Sequence, residues 1–283
     1  MFGNKNYYCL VAGLKEYTLD ADTKGFDAKA IVEEIMEELS SADAKAVRLL
    51  YSYYDCENII ALKAGRNAFN ELGNLSQQEL ENELAEPTLL PSRMARVIKA
   101  YAMQDDEQAE ENEYAKGLDL NISFERSLLA AYYEECAHSS SGFLKAWAQF
   151  DRTLRNISAA AVARTLARSI DGVTVGKGDV VEQLERSSAA DFGLRGELPY
   201  IDGVIAAVND ETNMVEKEHK IDLIRWEQAI DLASSSYFDI NAILSYLVRV
   251  NIVARWAKLD QQRGREMFKR ILSELDSKEL INK

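Results

Sequence analysis

The sequence predicts an all-α fold, and three observations support this. Apolar residues recur at helical spacing along most of the 283 residues. Only three prolines interrupt the chain, and alternating polar and apolar runs, which are typical of half-buried strands, are scarce. The segments predicted to be helical are 27–40, 43–66, 76–85, 91–104, 123–138, 143–169, 179–187, 211–234, 238–262 and 264–275.

Several of these segments begin with residues that favour a helix N-terminus. Asp43 precedes the run AKAVRLL, and Asp239 precedes the apolar run that starts at Ile240. Ser76 and Glu79 have the spacing of a capping box. The first dozen residues are ambiguous, because NYYCLVAGL fits either a strand or a short helix.

Composition and charge narrow the class of protein. The net charge of −14 argues against nucleic-acid binding, which needs clustered Lys and Arg, and suits a basic protein partner. Three cysteines without CxxC pairing indicate a reducing compartment. We expect no signal peptide and no membrane-spanning segment, because no run approaches the ~20 apolar residues needed to cross a bilayer. These observations predict a cytoplasmic protein.

A short motif recurs at a nearly constant interval. Asn58 is followed by Ile, and so are Asn156 and Asn251, at intervals of 98 and 95 residues. Each copy lies in a long predicted helix, and each is followed by a glycine-bearing break and another amphipathic segment. This pattern predicts three helical repeats, which we place at 1–104, 105–199 and 200–283.

An arginine accompanies each copy of the motif. Arg66 and Arg164 follow their asparagines by eight residues, and Arg255 follows by four. We therefore treat these arginines as part of the repeat.

The first copy, YSYYDCENIIALK, places an acid and an amide on or beside an apolar stripe. Asp55 and Asn58 lie three residues apart and share a helix face with residues that we expect in the core. A buried polar group must be hydrogen-bonded, since an orphan costs ~1–3 kcal/mol. We predict that Asn58, Asn156 and Asn251 brace the packing of their own repeats. Their expected partners are a neighbouring turn or a nearby acid or arginine, such as Asp55 or Asp151.

Two Glu-x-x-His pairs raise the possibility of a ferritin-like di-iron protein. They end at His138 and His219, and Glu182 or Glu185 could add a carboxylate. However, His138 lies next to SSSG at a predicted helix end, and charged residues flank His219. Ligands of a di-iron site project inward from the middle of helices, so we expect no metal.

Other motif searches also argue against a cofactor. DGVTVGKGD lacks the first Gly and the final Ser or Thr of a phosphate loop. An isoprenoid-synthase metal motif fails at Lys217, where an acid is needed. We expect no cofactor and no catalysis by this chain.

Three longer stretches resemble the C-type stalk component of V-type and A-type rotary ATPases, which is called d in eukaryotes. They look more closely like a bacterial relative encoded among V-type ATPase genes. The stretches are YYDCENIIALKAGR, FERSLLAAYYEECAHSSSGFLKAWAQFDRTLRNISAAAVAR and WEQAIDLASSSYFDINAILSYLVRVNIVARWAKL. The matching positions are Asp55, Asn58 and Ile59, then Glu125, Tyr132 and Tyr133, then Phe238, Leu244, Tyr246 and Leu247.

The resemblance implies a fold and a role. It implies three similar helical bundles that form a funnel. It implies a non-catalytic connector that receives the foot of the rotating shaft, rests on the membrane rotor ring and couples the two for proton or sodium transport. The implied location is cytoplasmic, at the inner face of the membrane through the ATPase complex. The alternatives are an all-α scaffold or regulatory binding protein, and the di-iron protein.

Overall fold

A computed structural model describes residues 5–19, 23, 25–104, 112–210 and 213–259. In these residues the regular secondary structure is all helical and contains no strand, which confirms the predicted fold class. A 3-10 helix at Glu113–Ala115 lies between the fifth and sixth α-helices. The α-helices are α1 (Tyr8–Gly13), α2 (Ala28–Glu38), α3 (Ser41–Lys63), α4 (Gln77–Ala85), α5 (Ser92–Gln104), α6 (Phe124–Ala137), α7 (Gly142–Thr165), α8 (Asp179–Arg186), α9 (Ile201–Asn209), α10 (Met214–Leu232) and α11 (Ile240–Lys258).

The helix boundaries follow the local capping chemistry. Ser76 and Glu79 form the predicted capping box of α4, and Asp239 caps α11. Helix α3 begins two residues earlier than predicted, because Ser40 caps it by accepting from the backbone N–H of Asp43. The ambiguous N-terminal run is a short helix, α1, and not a strand.

Helix α9 is the element that the sequence pattern missed. Its sequence IDGVIAAVN is short, mostly apolar and contains Gly203, so its periodicity does not distinguish a helix from a buried strand. Packing against α7 and α10 determines its conformation. The predicted helix at 264–275 lies outside the described residues.

The order of helix lengths recurs along the chain. A long helix, a short helix and a further helix follow one another as α3–α4–α5 and again as α7–α8–α9, and α11 is the third long helix. A helix precedes each long one, namely α2, α6 and α10. This order is consistent with a threefold repeat. It also groups α9 with α8, whereas the boundary predicted between 199 and 200 separates them.

The contacts between helices follow the same cyclic order. Helix α6 packs on α3 and α10 packs on α7. Helix α2, which precedes the first long helix, packs on α11, the last described helix. Helix α11 also contacts α3 and α7. Each long helix is thus covered by the helix that precedes the next long one. The third long helix is covered by the helix that precedes the first, so the order of contacts is cyclic.

The N-terminal segment contributes to this closure. The backbone N–H of Tyr7 donates to the carbonyl of Phe238 at 2.6 Å, just before α11. The Tyr7 hydroxyl donates to Asp43 and accepts from the backbone N–H of Ser40, at the start of α3. One buried tyrosine therefore joins the beginnings of the first and third long helices.

Helices α3 and α7 end in the same way. In α3, the backbone N–H of Arg66 donates to the carbonyl five residues earlier at 2.9 Å, and Gly65 has a φ of 64°. In α7, Arg168 makes the corresponding bond at 2.8 Å, and Ala167 takes the left-handed conformation with a φ of 50°. Both ends are Schellman motifs, which satisfy the last carbonyls of a helix.

Comparison of the two helix ends corrects one part of the predicted repeat, the equivalence of Arg66 and Arg164. Helix α7 runs about one turn further past its asparagine than α3 does. Arg66 is therefore exposed beyond the end of α3. Arg164 lies in the last turn of α7 and donates to the carbonyls of Ser187 and Ala189 at 2.8 and 2.6 Å. The shared offset of eight residues does not give these two arginines equivalent positions.

Candidate functional site

Asn58 and Asn156 each hold the loop that follows their helix. The Nδ2 of Asn58 donates to the carbonyl of Asn70 at 2.9 Å, and the backbone N–H of Asn70 donates to Asn58 Oδ1 at 2.7 Å. Asn156 makes the same pair of bonds with Val175, at 3.0 and 2.8 Å. Both asparagines are buried. Each side-chain amide therefore makes two hydrogen bonds with the backbone N–H and C=O of one loop residue, as neighbouring β-strands do. These bonds anchor the loop to the long helix.

Asp55 holds the same loop in the first unit. Its Oδ2 accepts from the Asn74 side chain at 2.7 Å, and its Oδ1 accepts from the backbone N–H of Leu75 at 3.0 Å. Burial raises the pKa of this carboxyl, although the two hydrogen bonds act in the opposite direction. In the second unit Thr153 occupies the corresponding position, three residues before Asn156. The acid and amide on the apolar stripe are thus loop anchors.

Asn251 has a different partner. It is half-buried, and its Oδ1 accepts from the Tyr51 hydroxyl at 2.8 Å. Tyr51 lies on α3, so this bond joins the third long helix to the first instead of bracing a loop of the third unit.

Gly73 provides a test of the loop anchor. A Cβ at this position would lie 2.7 Å from Asp55 Oδ1 and 3.2 Å from Asn58 Nδ2. We expect Gly73→Ala to lower the free energy of unfolding by about 1–3 kcal/mol, because both anchors must shift. Urea unfolding measures the change.

The control for this prediction is Gly196→Ala. Nothing lies within 4 Å of a Cβ built at Gly196. This variant should unfold as the wild type does. Equal stability of both alanine variants would contradict the anchoring role of the loop contacts at Gly73.

A cavity of about 660 Å³ lies between the three long helices. Helices α6 and α10 and the loop after α3 complete its wall. Aromatic and aliphatic side chains alternate with charged ones around it. The charged residues are four acids and four bases: Glu57, Asp151, Glu218, Asp222, Arg155, Arg225, Arg255 and Lys258.

Asp222 on α10 is the centre of an ion network in this wall. It is 1% exposed and accepts from Arg225 at 2.8 Å and from Arg255 at 3.0 and 3.1 Å. The indole N–H of Trp256 donates to it at 2.9 Å. Arg255 also donates to Glu218. The guanidinium of Arg255, on α11, therefore binds two acids of α10, Asp222 and Glu218.

Asp151 on α7 extends the network to two further helices. It accepts from Arg225 Nε at 3.1 Å and from the Tyr133 hydroxyl at 2.7 Å, and Tyr133 lies on α6. The pKa of Arg225 is raised: its burial acts to lower it, but the charges of Asp151 and Asp222 outweigh that effect. A continuous polar chain thus connects α6, α7, α10 and α11 along one side of the cavity.

The other side of the cavity carries groups with fewer bonds. Arg155 Nη1 donates to the Tyr53 hydroxyl at 3.3 Å. Glu57 is exposed to the cavity, yet the surrounding atoms are dense enough that burial raises the pKa of its carboxyl. Burial likewise raises the pKa of Tyr53 and of Tyr54, so both hydroxyls stay protonated near neutral pH.

A second cavity of about 350 Å³ adjoins the first. It lies beside the loop that Asn58 anchors, and Arg66 and Glu125 contribute to its wall. Four residues line both cavities, and we call them the junction: Glu57, Asn70, Arg155 and Lys258. Because Asn58 binds both backbone groups of Asn70, the anchor positions one wall of the junction.

A comparison with protein-family models identifies the family of this chain. The model described as "Protein of unknown function (DUF2764)" matches residues 4–279. The chain belongs to this family. No curated protein and no solved structure matches it.

None of the residues considered for a di-iron site lines either of the two cavities described above. Glu135 accepts from Arg93 at 3.1 Å, and His138 is the exposed C-cap of α6. The ring of His219 packs against Trp256. Across the described ranges, no group of three or more His, Cys, Asp and Glu side chains has an arrangement that could hold a metal ion.

Sequence reasoning identified some of the site and missed other parts. Asp151 and Arg255 were singled out, and the structure joins them through Asp222 and Arg225, which were not. The available signal was the pair Asp222 and Arg225, three residues apart in the apolar segment IDLIRW. That spacing indicates a helical ion pair. This spacing does not indicate that Asp222 and Arg225 also have partners on two other helices, α7 and α11.

Proposed function

We propose that this protein is a non-catalytic connector in the central stalk of a V-type rotary ATPase. It would couple the rotating shaft to the membrane ring and so serve proton or sodium transport. The observation that carries the proposal is the cyclic order of contacts, in which each long helix is covered by the helix that precedes the next long one, around a charged cavity. The three stretches that resemble the stalk component of rotary ATPases lie on α3, on α6–α7 and on α10–α11, the helices that line the cavity.

The size of the cavity suits the end of a helix. An α-helix with side chains is about 10–12 Å across and rises 1.5 Å per residue. A volume of about 660 Å³ corresponds to roughly one to two turns of such a helix. A shaft that ends in helices could therefore insert its tip between α3, α7 and α11.

The packing also suits the transmission of torque. Two long helices hold their following loops through paired hydrogen bonds, and the ion network joins four helices across the cavity wall. Close-packed interiors with satisfied polar groups deform little under load. Such a body would pass rotation from one partner to another with little internal twist.

The protein would act at the membrane through its partners. Within the part of the chain that the structure describes, no helix is both long and apolar enough to cross a bilayer. We propose that the chain binds the ring and the shaft at the cytoplasmic face, with its acidic surface available to basic partner surfaces.

The composition of the purified complex tests this proposal. The intact rotary ATPase would be isolated from membranes in mild detergent through a tag on one of its catalytic chains, and its components quantified by mass spectrometry. We expect this chain at a constant ratio to the shaft proteins. Its consistent absence from intact, active complexes would refute the proposal, and a tagged cytosolic protein of similar abundance controls for carry-over.

A further inference from the structure

Two cations at the junction form no ion pair within 4.0 Å with any of the described residues. The guanidinium of Arg155 donates to the Tyr53 hydroxyl at 3.3 Å, and no carboxylate of the described residues lies within 4.0 Å of it. The same is true of the Lys258 ammonium in that part of the chain. Arg155 is half-buried, whereas Lys258 is exposed at the end of α11. Buried charges in proteins are usually paired, so Arg155 is unusual.

Three of the four acids of the cavity are already bound to other arginines. Asp222 and Asp151 accept from Arg225, and Asp222 and Glu218 accept from Arg255. Glu57 is the remaining acid of the cavity, and it belongs to the junction. The network thus holds three acids and two arginines, whereas the junction holds two cations and one acid, so the excess positive charge of the cavity lies at the junction.

A carboxylate entering the cavity would complete the coordination of these groups. A guanidinium presents two parallel N–H groups that match the two oxygens of a carboxylate. The single long bond from Arg155 to Tyr53 leaves most of its donors available. Lys258 could contact the same anion from the mouth of the cavity, because it lines both cavities with Arg155.

We propose that Arg155 and Lys258 bind a carboxylate of a polypeptide that inserts into the central cavity. The carboxylate is an Asp or Glu side chain or a C-terminus of the partner. That the partner is the shaft rests on the proposed function. Arg155 fixes the inserted end in the cavity, and Lys258 contributes at its rim.

The walls of the cavity favour a polypeptide over a free inorganic anion. Tyr54, Trp147 and Val248 supply apolar surface to the larger cavity, which a small anion would leave uncovered. Glu57 and Asp151 would repel a dianion such as phosphate more strongly than they repel a single carboxylate.

The first test measures binding of the purified shaft protein to the full-length chain. Wild type, Arg155→Gln and Arg186→Gln would be compared by titration calorimetry at two salt concentrations. We expect Arg155→Gln to weaken binding about 10- to 100-fold, because a charged hydrogen-bonded pair is lost. Arg186→Gln should bind as wild type does, because Arg186 is largely exposed on α8 and lies outside both cavities.

The outcomes separate the two proposals. No binding of the shaft by wild type would count against the proposed function. Binding by wild type with an unchanged affinity of Arg155→Gln would overturn the carboxylate site alone. If Arg155→Gln does not fold, Lys258→Gln carries the same comparison, because Lys258 is exposed and its loss should not affect folding.

A second test identifies the anion. A carbodiimide joins a lysine to a carboxylate that touches it, without a spacer. In the bound complex we expect a cross-link from Lys258 to an acidic residue or the C-terminus of the shaft, and none from Lys145, which is exposed and outside both cavities. A complex without the Lys258 cross-link would overturn the proposal. So would displacement of the shaft by inorganic phosphate at an ionic strength where chloride has no effect.

Discussion

Asp222→Asn should lower the free energy of unfolding by about 3 kcal/mol, the largest stability effect that we expect from a single conservative change. The side chain keeps its shape but loses its charge, and its amide would present a donor to the guanidinium groups of Arg225 and Arg255. Most of the lost stability comes from Arg225, because this side chain is mostly buried and would keep only its ion pair with Asp151. Arg255 is partly exposed, so water compensates some of its loss. Urea unfolding at neutral pH gives the measurement.

The matched control for Asp222 is Asp202→Asn. Asp202 accepts from Arg195 at 2.8 Å, but both side chains are more than half exposed. Surface pairs of this kind contribute about 0–1 kcal/mol, so the control should change little. A double variant of Asp222→Asn with Arg255→Gln should cost less than the sum of its parts. Equal effects at Asp222 and Asp202 would show that the network does not stabilise the fold.

The fold class could be predicted because it depends on local pattern. Apolar spacing, caps such as Ser76 and Asp239, and the scarcity of proline act within a few residues, and all favour helices. Helix α9 could not be recognised in this way, since its conformation depends on packing against α7 and α10. The end of α7 was also not recognisable: the predicted helix runs to residue 169, whereas α7 ends at Thr165, because the left-handed residue that follows it is Ala167 and not a glycine.

The candidate site was only partly predictable for a related reason. Asn58 and Asp55 attract attention because a polar residue on an apolar stripe needs a partner wherever it packs. Their loop partners lie 12 to 20 residues away in the chain. The bond from Arg225 to Asp151 spans 74 residues, and the cavity exists only once five helices have assembled. Contacts between residues so far apart in the chain produce no repeating pattern in a single sequence.

The loop anchors and the cavity are parts of one arrangement. Asn58 fixes Asn70, and Asn70 lines both cavities beside Arg155 and Lys258. The polar residues on the apolar stripe thus hold the surface that an inserted partner would meet. In the proposed complex, stability and binding would therefore be linked at this position through the placement of the loop.

Asn58→Leu should lower the free energy of unfolding by about 1–3 kcal/mol, since it strands both backbone groups of Asn70 while filling similar space. Asn156→Leu should have a similar effect through Val175, because the two asparagines make the same pair of bonds.

The matched control is Asn121→Leu, at an exposed position, which should stay within about 0.5 kcal/mol of wild type. Urea unfolding with an unchanged m-value would show that the native state itself is destabilised. An unfolding curve identical to wild type, with weakened binding of the shaft protein, would instead make Asn58 a direct contact of the partner. Loss of a structural anchor lowers the stability of the isolated chain, whether or not a partner is present. Loss of a direct contact lowers only the affinity for the partner, so the two measurements separate the two roles.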